Sequence, residues 1–132
     1  MNKIGAYDMV NAHEIERVLR QFEEETEGVK GSCVVYSPQA LVLAEASQEF
    51  PREIVQAMSE RILSLADQTL ASLLKGQYKL KRVLIEEENH NIVLLPINAE
   101  YHLVIITTQE ETKGLLMLNA KQLLNRIKPL LE

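Results

Sequence analysis

Three histidines and two runs of glutamate are the residues of this chain that could bind a metal ion or transfer a proton. His13 is expected in a helix, His90 in a turn and His102 in a strand, and no spacing between them brings two imidazoles to one ion. The glutamate runs at 23–25 and 86–88 offer oxygen ligands, but neither has the pattern of a calcium loop. We therefore interpret these groups as structural or solvated, and the sequence predicts no metal and no cofactor.

The motifs of common enzyme classes are missing from the sequence. It contains no G-x-x-x-x-G-K-[ST] phosphate loop, no G-x-S-x-G nucleophile elbow and no H-E-x-x-H metal pair. Its arginines are candidates for a finger that stabilises phosphoryl transfer in a partner's active site, but the sequence singles none of them out. Cys33, the only cysteine, excludes a disulfide and a thiolate zinc cluster and is expected to be a buried, inert thiol. The chain is predicted not to be an enzyme, and at most to regulate a partner's active site.

Length and composition indicate one soluble domain. The 132 residues are 46% hydrophobic, enough for a single core, and residues 1–11 are expected as a loosely attached segment ahead of a domain at 12–132. The net charge of −5 comes from interspersed signs and only 5% of residues are aromatic, which argues against nucleic acid as a partner. No apolar stretch approaches the ~20 residues that a membrane span needs, so we expect a cytoplasmic protein without membrane insertion.

The elements that must position any functional residue follow from periodicity and turn residues. Apolar residues at helical or alternating spacing predict three helices and five strands in the order αββαβββα. The predicted ranges are 12–25, 32–36, 41–46, 51–74, 80–87, 91–96, 101–107 and 112–128. Pro38 is expected at the second position of a type I turn in the first hairpin. The apolar strands 91–96 and 101–107 are expected inside the sheet, and the charged strand 80–87 at its edge.

The helix predicted at 51–74 has a wider apolar arc than one sheet contact requires. The face expected to cover the sheet contains Ile54, Val55, Met58, Ile62, Leu65, Ala66 and Leu73. Leu63, Leu70 and Leu74 fall on the flank of that face and extend the arc to roughly 200°. We expect this flank to be a second packing surface, formed with another subunit.

The charge order of strand 80–87 makes it complementary to a second copy of itself. An antiparallel pairing about a two-fold axis at Leu84 places Arg82 opposite Glu86 of the partner subunit. The same pairing places Lys81 opposite the partner's Glu87. Charged residues on an edge strand also prevent pairing in monomers, so a monomer stays open as the alternative. The residues predicted to form the homodimer contact are Lys81, Arg82, Val83, Leu84, Ile85, Glu86 and Glu87, with Leu63, Leu70 and Leu74.

Four short features follow one another in a set order along the chain. They are Gly28-Val29-Lys30-Gly31 after the first helix, the strand Cys33-Val34-Val35-Tyr36, the long helix closed by Gly76, and Val93-Leu94-Leu95-Pro96. In this order and spacing they resemble the Roadblock (dynein light chain) family and its MglB-like members, over nearly the whole chain from about 12 to 128. Gly114 is a loose counterpart of the family's glycine near the last helix. The first hairpin departs from the family, because Ser37-Pro38-Gln39-Ala40 stands where Asp-Gly is usual.

This resemblance implies an α+β fold with a five-stranded antiparallel sheet, the central helix on one face and the terminal helices on the other. It also implies a dimer that binds a small Ras-like GTPase and modulates its nucleotide cycle or localisation. The polar arc of the central helix is the expected docking surface, with Gln56, Glu60, Ser64 and Asp67 as the partner-binding residues. Two alternatives stay open: an adaptor light chain that clamps a larger protein, and a small-molecule sensor, which the absence of Trp and the scarcity of Phe disfavour.

Overall fold

A computed structural model describes the backbone of residues 3–45, 51–108 and 113–131, and the side chains from residue 12 onward in those ranges apart from residue 113. Within these ranges the chain forms three α-helices and five strands. In chain order they are α1 (Lys3–Glu25), β1 (Val29–Tyr36), β2 (Leu41–Glu45), α2 (Arg52–Leu73), β3 (Val83–Glu86), β4 (His90–Pro96), β5 (Tyr101–Thr108) and α3 (Lys113–Ile127). The predicted α+β class and the predicted order αββαβββα are confirmed.

The five strands form one antiparallel sheet in the order β2-β1-β5-β4-β3. β5 lies at the centre between β1 and β4, and its residues 103–106 form an unbroken apolar run, as expected of a strand covered on both faces. β3 lies at one edge, with β4 as its strand neighbour in the described part of the sheet. The predicted interior positions of β4 and β5 and the predicted edge position of β3 are therefore confirmed.

Two apolar cores lie on opposite faces of the sheet. On one face, the terminal helices α1 and α3 bury residues such as Leu19 and Leu123 against Ile105 of the sheet. On the other face, α2 buries Val55 and Leu63 in a smaller core that includes Cys33. The predicted division of the helices between the two faces is confirmed, and so is the buried thiol, whose burial raises the pKa of Cys33 far above its usual value.

The bounds of α1, β1 and β3 differ from the predicted ones, and β1 begins at Val29 instead of residue 32. α1 begins at Lys3 instead of residue 12, because the segment before residue 12 contains no proline and a helix can continue without an apolar stripe. Whether residues 1–11 are loosely attached stays a prediction. β3 begins at Val83 instead of residue 80. Its register places Val83 opposite Leu94, so Lys81 would face Pro96, which has no N–H to donate to the ladder.

The orientation of α2 was predicted only in part, since Val55 is buried and Ile62 packs against the core under α2 as expected. The buried side chains of this helix are Val55, Ser59 and Leu63, so the helix faces the sheet along a line that includes a serine. The apolar residues expected on the sheet but found exposed are Ile54 (66%), Met58 (45%), Leu65 (64%) and Leu73 (75%). The apolar pattern misplaced the face because the sheet offers a polar partner to Ser59, which apolar periodicity does not register.

Candidate functional site

The buried face of α2 is attached to the sheet through His102. The imidazole is 1% exposed, with its Nε2 atom 2.8 Å from Ser59 Oγ and its Nδ1 atom 2.8 Å from Ser37 Oγ. Ser37 opens a single 3₁₀ turn at the end of β1, in which Pro38 holds the second position as predicted. One imidazole therefore links α2, β5 and the first hairpin turn.

The geometry of this serine–histidine arrangement gives the imidazole a structural role. Burial lowers the pKa of His102 to about 4, so the ring is neutral at pH 7 and one ring nitrogen donates a hydrogen bond while the other accepts one. A base of such low pKa is poorly matched to proton abstraction at neutral pH. Ser59, moreover, is 3% exposed, which leaves a substrate no approach to its hydroxyl.

The four predicted partner-binding residues of α2 are not equally available. The Gln56 Oε1 atom accepts a hydrogen bond from Val42 N–H at 2.9 Å, so this half-buried side chain ties α2 to β2. Glu60 is half-buried, with Oε2 at 3.8 Å from His102 Nδ1. Ser64 and Asp67 are exposed. The predicted exposed arc is therefore reduced to Ser64 and Asp67, with Glu60 at its margin.

A cavity of about 1080 Å³ opens beside these residues. Glu60, Ser64 and Asp67 of α2 line it, together with residues 78–82 and residues 95–99. The cavity exists because β3 is shorter than β4: the pairing stops at Val83, and the chain before it leaves the end of β4 uncovered.

The edge strand divides its side chains between the two cores. Val83 packs into the core under α2, whereas Leu84 packs into the core under the terminal helices. Ile85 is 36% exposed on the α2 side. Lys81 and Arg82 are exposed and lie before the strand, so the predicted seven-residue contact would have to extend β3 beyond its present four residues.

Glu87 also lies outside β3, and its carboxylate is engaged in the turn that follows. Its Oε1 atom is 2.9 Å from His90 Nδ1 and accepts a hydrogen bond from Asn89 N–H at 3.0 Å. The hydrogen bond to His90, and after it the bond from Asn89, lower the pKa of Glu87. A contact between this carboxylate and Lys81 of a partner subunit would therefore compete with an existing turn.

The apolar surface that α2 leaves uncovered differs from the predicted flank. Leu63 is buried in its own chain, Leu70 is half-buried, and Leu74 follows the last helical residue and is 49% exposed. The exposed apolar residues lie along the other side of the helix. We define them as the α2 apolar row: Ile54, Met58 and Leu65.

The described ranges contain neither a metal-binding cluster nor a membrane-spanning helix. No group of three His, Cys, Asp or Glu side chains in these ranges is placed to hold a metal ion. None of the helices described here is long and apolar enough to cross a bilayer.

Solved structures of other proteins share this fold. It matches a Roadblock/LC7 domain from Streptomyces avermitilis (TM-score 0.79, 12% identity, covering 88% of this chain and 96% of that one). It also matches Myxococcus xanthus MglB (TM-score 0.79, 12% identity, 89% and 94% covered). The gliding protein MglB of Thermus thermophilus has a TM-score of 0.77 at 17% identity, with 92% and 90% covered. No family model matches the sequence.

Two Methanocaldococcus jannaschii proteins are similar in sequence. Uncharacterized proteins MJ0310 and MJ1340 are each 31% identical over 114 residues, which is 86% of this chain and 96% of theirs. The chain belongs to one protein family with them, and its fold is that of Roadblock domains. The predicted Roadblock resemblance is therefore confirmed at the level of fold.

Within this Roadblock fold, sequence reasoning missed both the histidine link and the α2 apolar row. Ser59 lies four residues from Val55 and four from Leu63, so helical spacing alone would have placed it on their face. Nothing in the sequence marks His102 as its partner, because the two residues are 43 positions apart.

Proposed function

We propose that this chain is a non-enzymatic homodimeric platform that binds a small Ras-like GTPase and modulates its nucleotide cycle or its localisation. The observation that carries the proposal is the α2 apolar row, three large side chains each at least 45% exposed on the central helix of a Roadblock fold. Exposed apolar side chains of this size, close together on one helix, are typical of a protein–protein contact surface. The GTPase as partner follows from the Roadblock resemblance.

Self-association would use the edge strand and the α2 apolar row together. In the register centred on Leu84, Val83 meets Ile85 of the partner subunit on the α2 side of a continuous sheet. Each cross-strand pair contributes only about 0.2–1 kcal/mol. Full burial of one large apolar side chain contributes about 1.5–3 kcal/mol, so the row and not the charge pairs would supply most of the association free energy.

The GTPase would contact the exposed part of the α2 polar arc, at Ser64 and Asp67. Gln56 and Glu60 would hold α2 in position under this surface, since Gln56 contacts β2 and Glu60 lies beside His102 of β5. No catalytic residue is assigned to the chain, and any hydrolysis would take place in the partner's active site.

The test is binding of small GTPases from the same organism, loaded with GDP or with a non-hydrolysable GTP analogue. We expect the chain to bind the GTPase in one of its two nucleotide states. Asp67→Lys should weaken this binding, because the change reverses an exposed charge at the contact. Glu24→Lys is the matched control, since Glu24 is equally exposed but lies on α1, across the sheet. Equal binding by the Asp67 variant and the parent would remove this surface from the proposal.

An adaptor light chain is the second candidate, and the position of β3 favours it. An edge strand can accept an extended segment of a larger protein by strand addition. Such an adaptor would bind its partner without regard to nucleotide, so the GDP and GTP-analogue arms of the same experiment separate the two functions.

A further inference from the structure

One flank of α3, continued by the 3₁₀ turn Lys128–Leu131, contributes a regular stripe to the cavity beside α2. The stripe consists of Met117, Lys121, Leu124 and Lys128, which follow one another at i, i+4, i+7 and i+11 and so lie along one side of the helix. Tyr78 and Lys79 line the same cavity. We call this part of the cavity the α3 groove.

The α3 groove is cationic although the chain is acidic overall. Five basic side chains and two carboxylates line the whole cavity: Lys79, Lys81, Arg82, Lys121 and Lys128 against Glu60 and Asp67. Both carboxylates lie on α2, and residues 113–131 contain no Asp or Glu. Among the described residues neither Lys121 nor Lys128 forms an ion pair. A positive cavity on a chain of net charge −5 is a local feature that attracts an anionic group.

Apolar side chains beside the lysines define the ligand further. Met117 and Leu124 are half-buried, and the neighbouring Leu118 is 53% exposed. A phosphate or a nucleic-acid backbone would use the lysines but not these apolar surfaces. We infer that the α3 groove binds an acidic, amphipathic peptide segment of a partner protein.

The spacing of Lys121 and Lys128 sets the spacing of the acidic residues in the ligand. The two lysines are seven residues apart, which is about 10 Å along the axis at ~1.5 Å per residue. In a polyproline II segment, residues i and i+3 point to the same side and are ~9 Å apart at ~3.1 Å per residue. The matching ligand therefore has carboxylates three residues apart, with apolar residues between them.

The two lysines of the α3 groove are not part of the contacts proposed above, although residues of both contacts line other parts of the same cavity. Lys121 lies on α3 and Lys128 directly after it, so pairing of β3 with a partner subunit leaves both of them in place. Binding of the peptide needs neither a nucleotide nor a GTPase. The peptide titration therefore tests this inference separately, whatever the outcome of the GTPase-binding experiment.

The test is titration of the full chain with the synthetic peptide Glu-Pro-Leu-Glu-Pro-Leu-Glu, blocked at both ends, with Gln-Pro-Leu-Gln-Pro-Leu-Gln as the uncharged control peptide. We expect binding of the first peptide that weakens with added salt, and Lys121→Glu should weaken it about tenfold by replacing an attraction with a repulsion. Lys30→Glu is the matched control, because Lys30 is exposed on β1 and does not line the cavity. Lys121→Gln, a milder change on the same exposed position, keeps the test valid if the reversal disturbs α3.

Several outcomes would overturn the inference. They are no binding by the parent chain, equal binding of the two peptides, or equal loss in the Lys121 and Lys30 variants. Single-stranded DNA and vesicles rich in phosphatidylserine form two further arms. Binding of either one through Lys121, without binding of the peptide, would assign the groove to a polyanion and contradict a peptide ligand.

Discussion

His102 ties the central helix α2 to the middle of the sheet, and its charge state controls that link. The neutral ring can satisfy Ser37 and Ser59 together because it offers one donor and one acceptor. A protonated ring would have two donors and a buried charge, and the carboxylate nearest to it, on Glu60, is half-exposed at 3.8 Å. Protonation should therefore favour the unfolded chain.

The first prediction is that the free energy of unfolding depends on pH through His102. The pKa of His102 is about 4 in the folded chain and 6.5 when exposed, so the unfolded state binds the proton more tightly. The contribution to stability is complete above pH 6.5 and is lost as the pH falls towards 4. Between pH 7.5 and pH 5 the parent should lose about 2 kcal/mol of unfolding free energy through this residue. Urea unfolding at the two values measures the loss.

His102→Gln is the matched control for that measurement. The amide keeps a donor and an acceptor but does not titrate, so the variant should be less stable at pH 7.5 and should lack the loss attributed to His102. The same pH dependence in the variant and the parent would mean that other groups cause it.

At the scale of elements, α2 shows what a sequence pattern can predict and what it cannot. Its bounds followed from Pro51 and Gly76 to within a residue or two, because the ends of helices have local signals. Its rotation followed only in part, because apolar periodicity does not register Ser59, which is buried in line with Val55 and Leu63. Ile54, Met58 and Leu65 are apolar but exposed, and the apolar pattern alone does not distinguish a buried position from an exposed one.

The second prediction tests the α2 apolar row as a subunit contact. Leu65→Glu should weaken the dimer by about 1–2 kcal/mol, near tenfold in dissociation constant, because a 64% exposed leucine would no longer be buried on association. Sedimentation velocity over a concentration series gives the constant. Gln68→Glu, an equally negative change at an exposed position one turn further along α2, should leave it within experimental error. Unchanged association of the Leu65 variant would exclude the row from the interface.

In the molecule as a whole, the order of the elements and their arrangement in the sheet could be predicted from the sequence, whereas the length of the edge strand β3 could not. Neighbouring residues such as Leu103 and Val104 are apolar and buried on opposite faces of β5, and this unbroken apolar run predicted the central place of the strand. The shortening of β3 depends on Pro96 in a different strand, and the cavity depends on that shortening. A local pattern contains no information on which residue a strand will face.

The third prediction concerns the register of the proposed homodimer. Arg82→Glu would put like charges opposite each other at two symmetry-related places and should weaken self-association by about 1 kcal/mol or less per place. Adding Glu86→Arg restores opposite charges in the same register, so the double variant should associate as the parent does. Both positions are exposed, so folding should change by no more than about 0.5 kcal/mol in either variant. Sedimentation equilibrium of parent, single and double variants is the measurement.

Lys75→Glu, a reversal at an exposed position before the strand, controls for net charge. A monomeric parent, or a double variant that associates no better than the single one, would contradict a two-fold axis at Leu84.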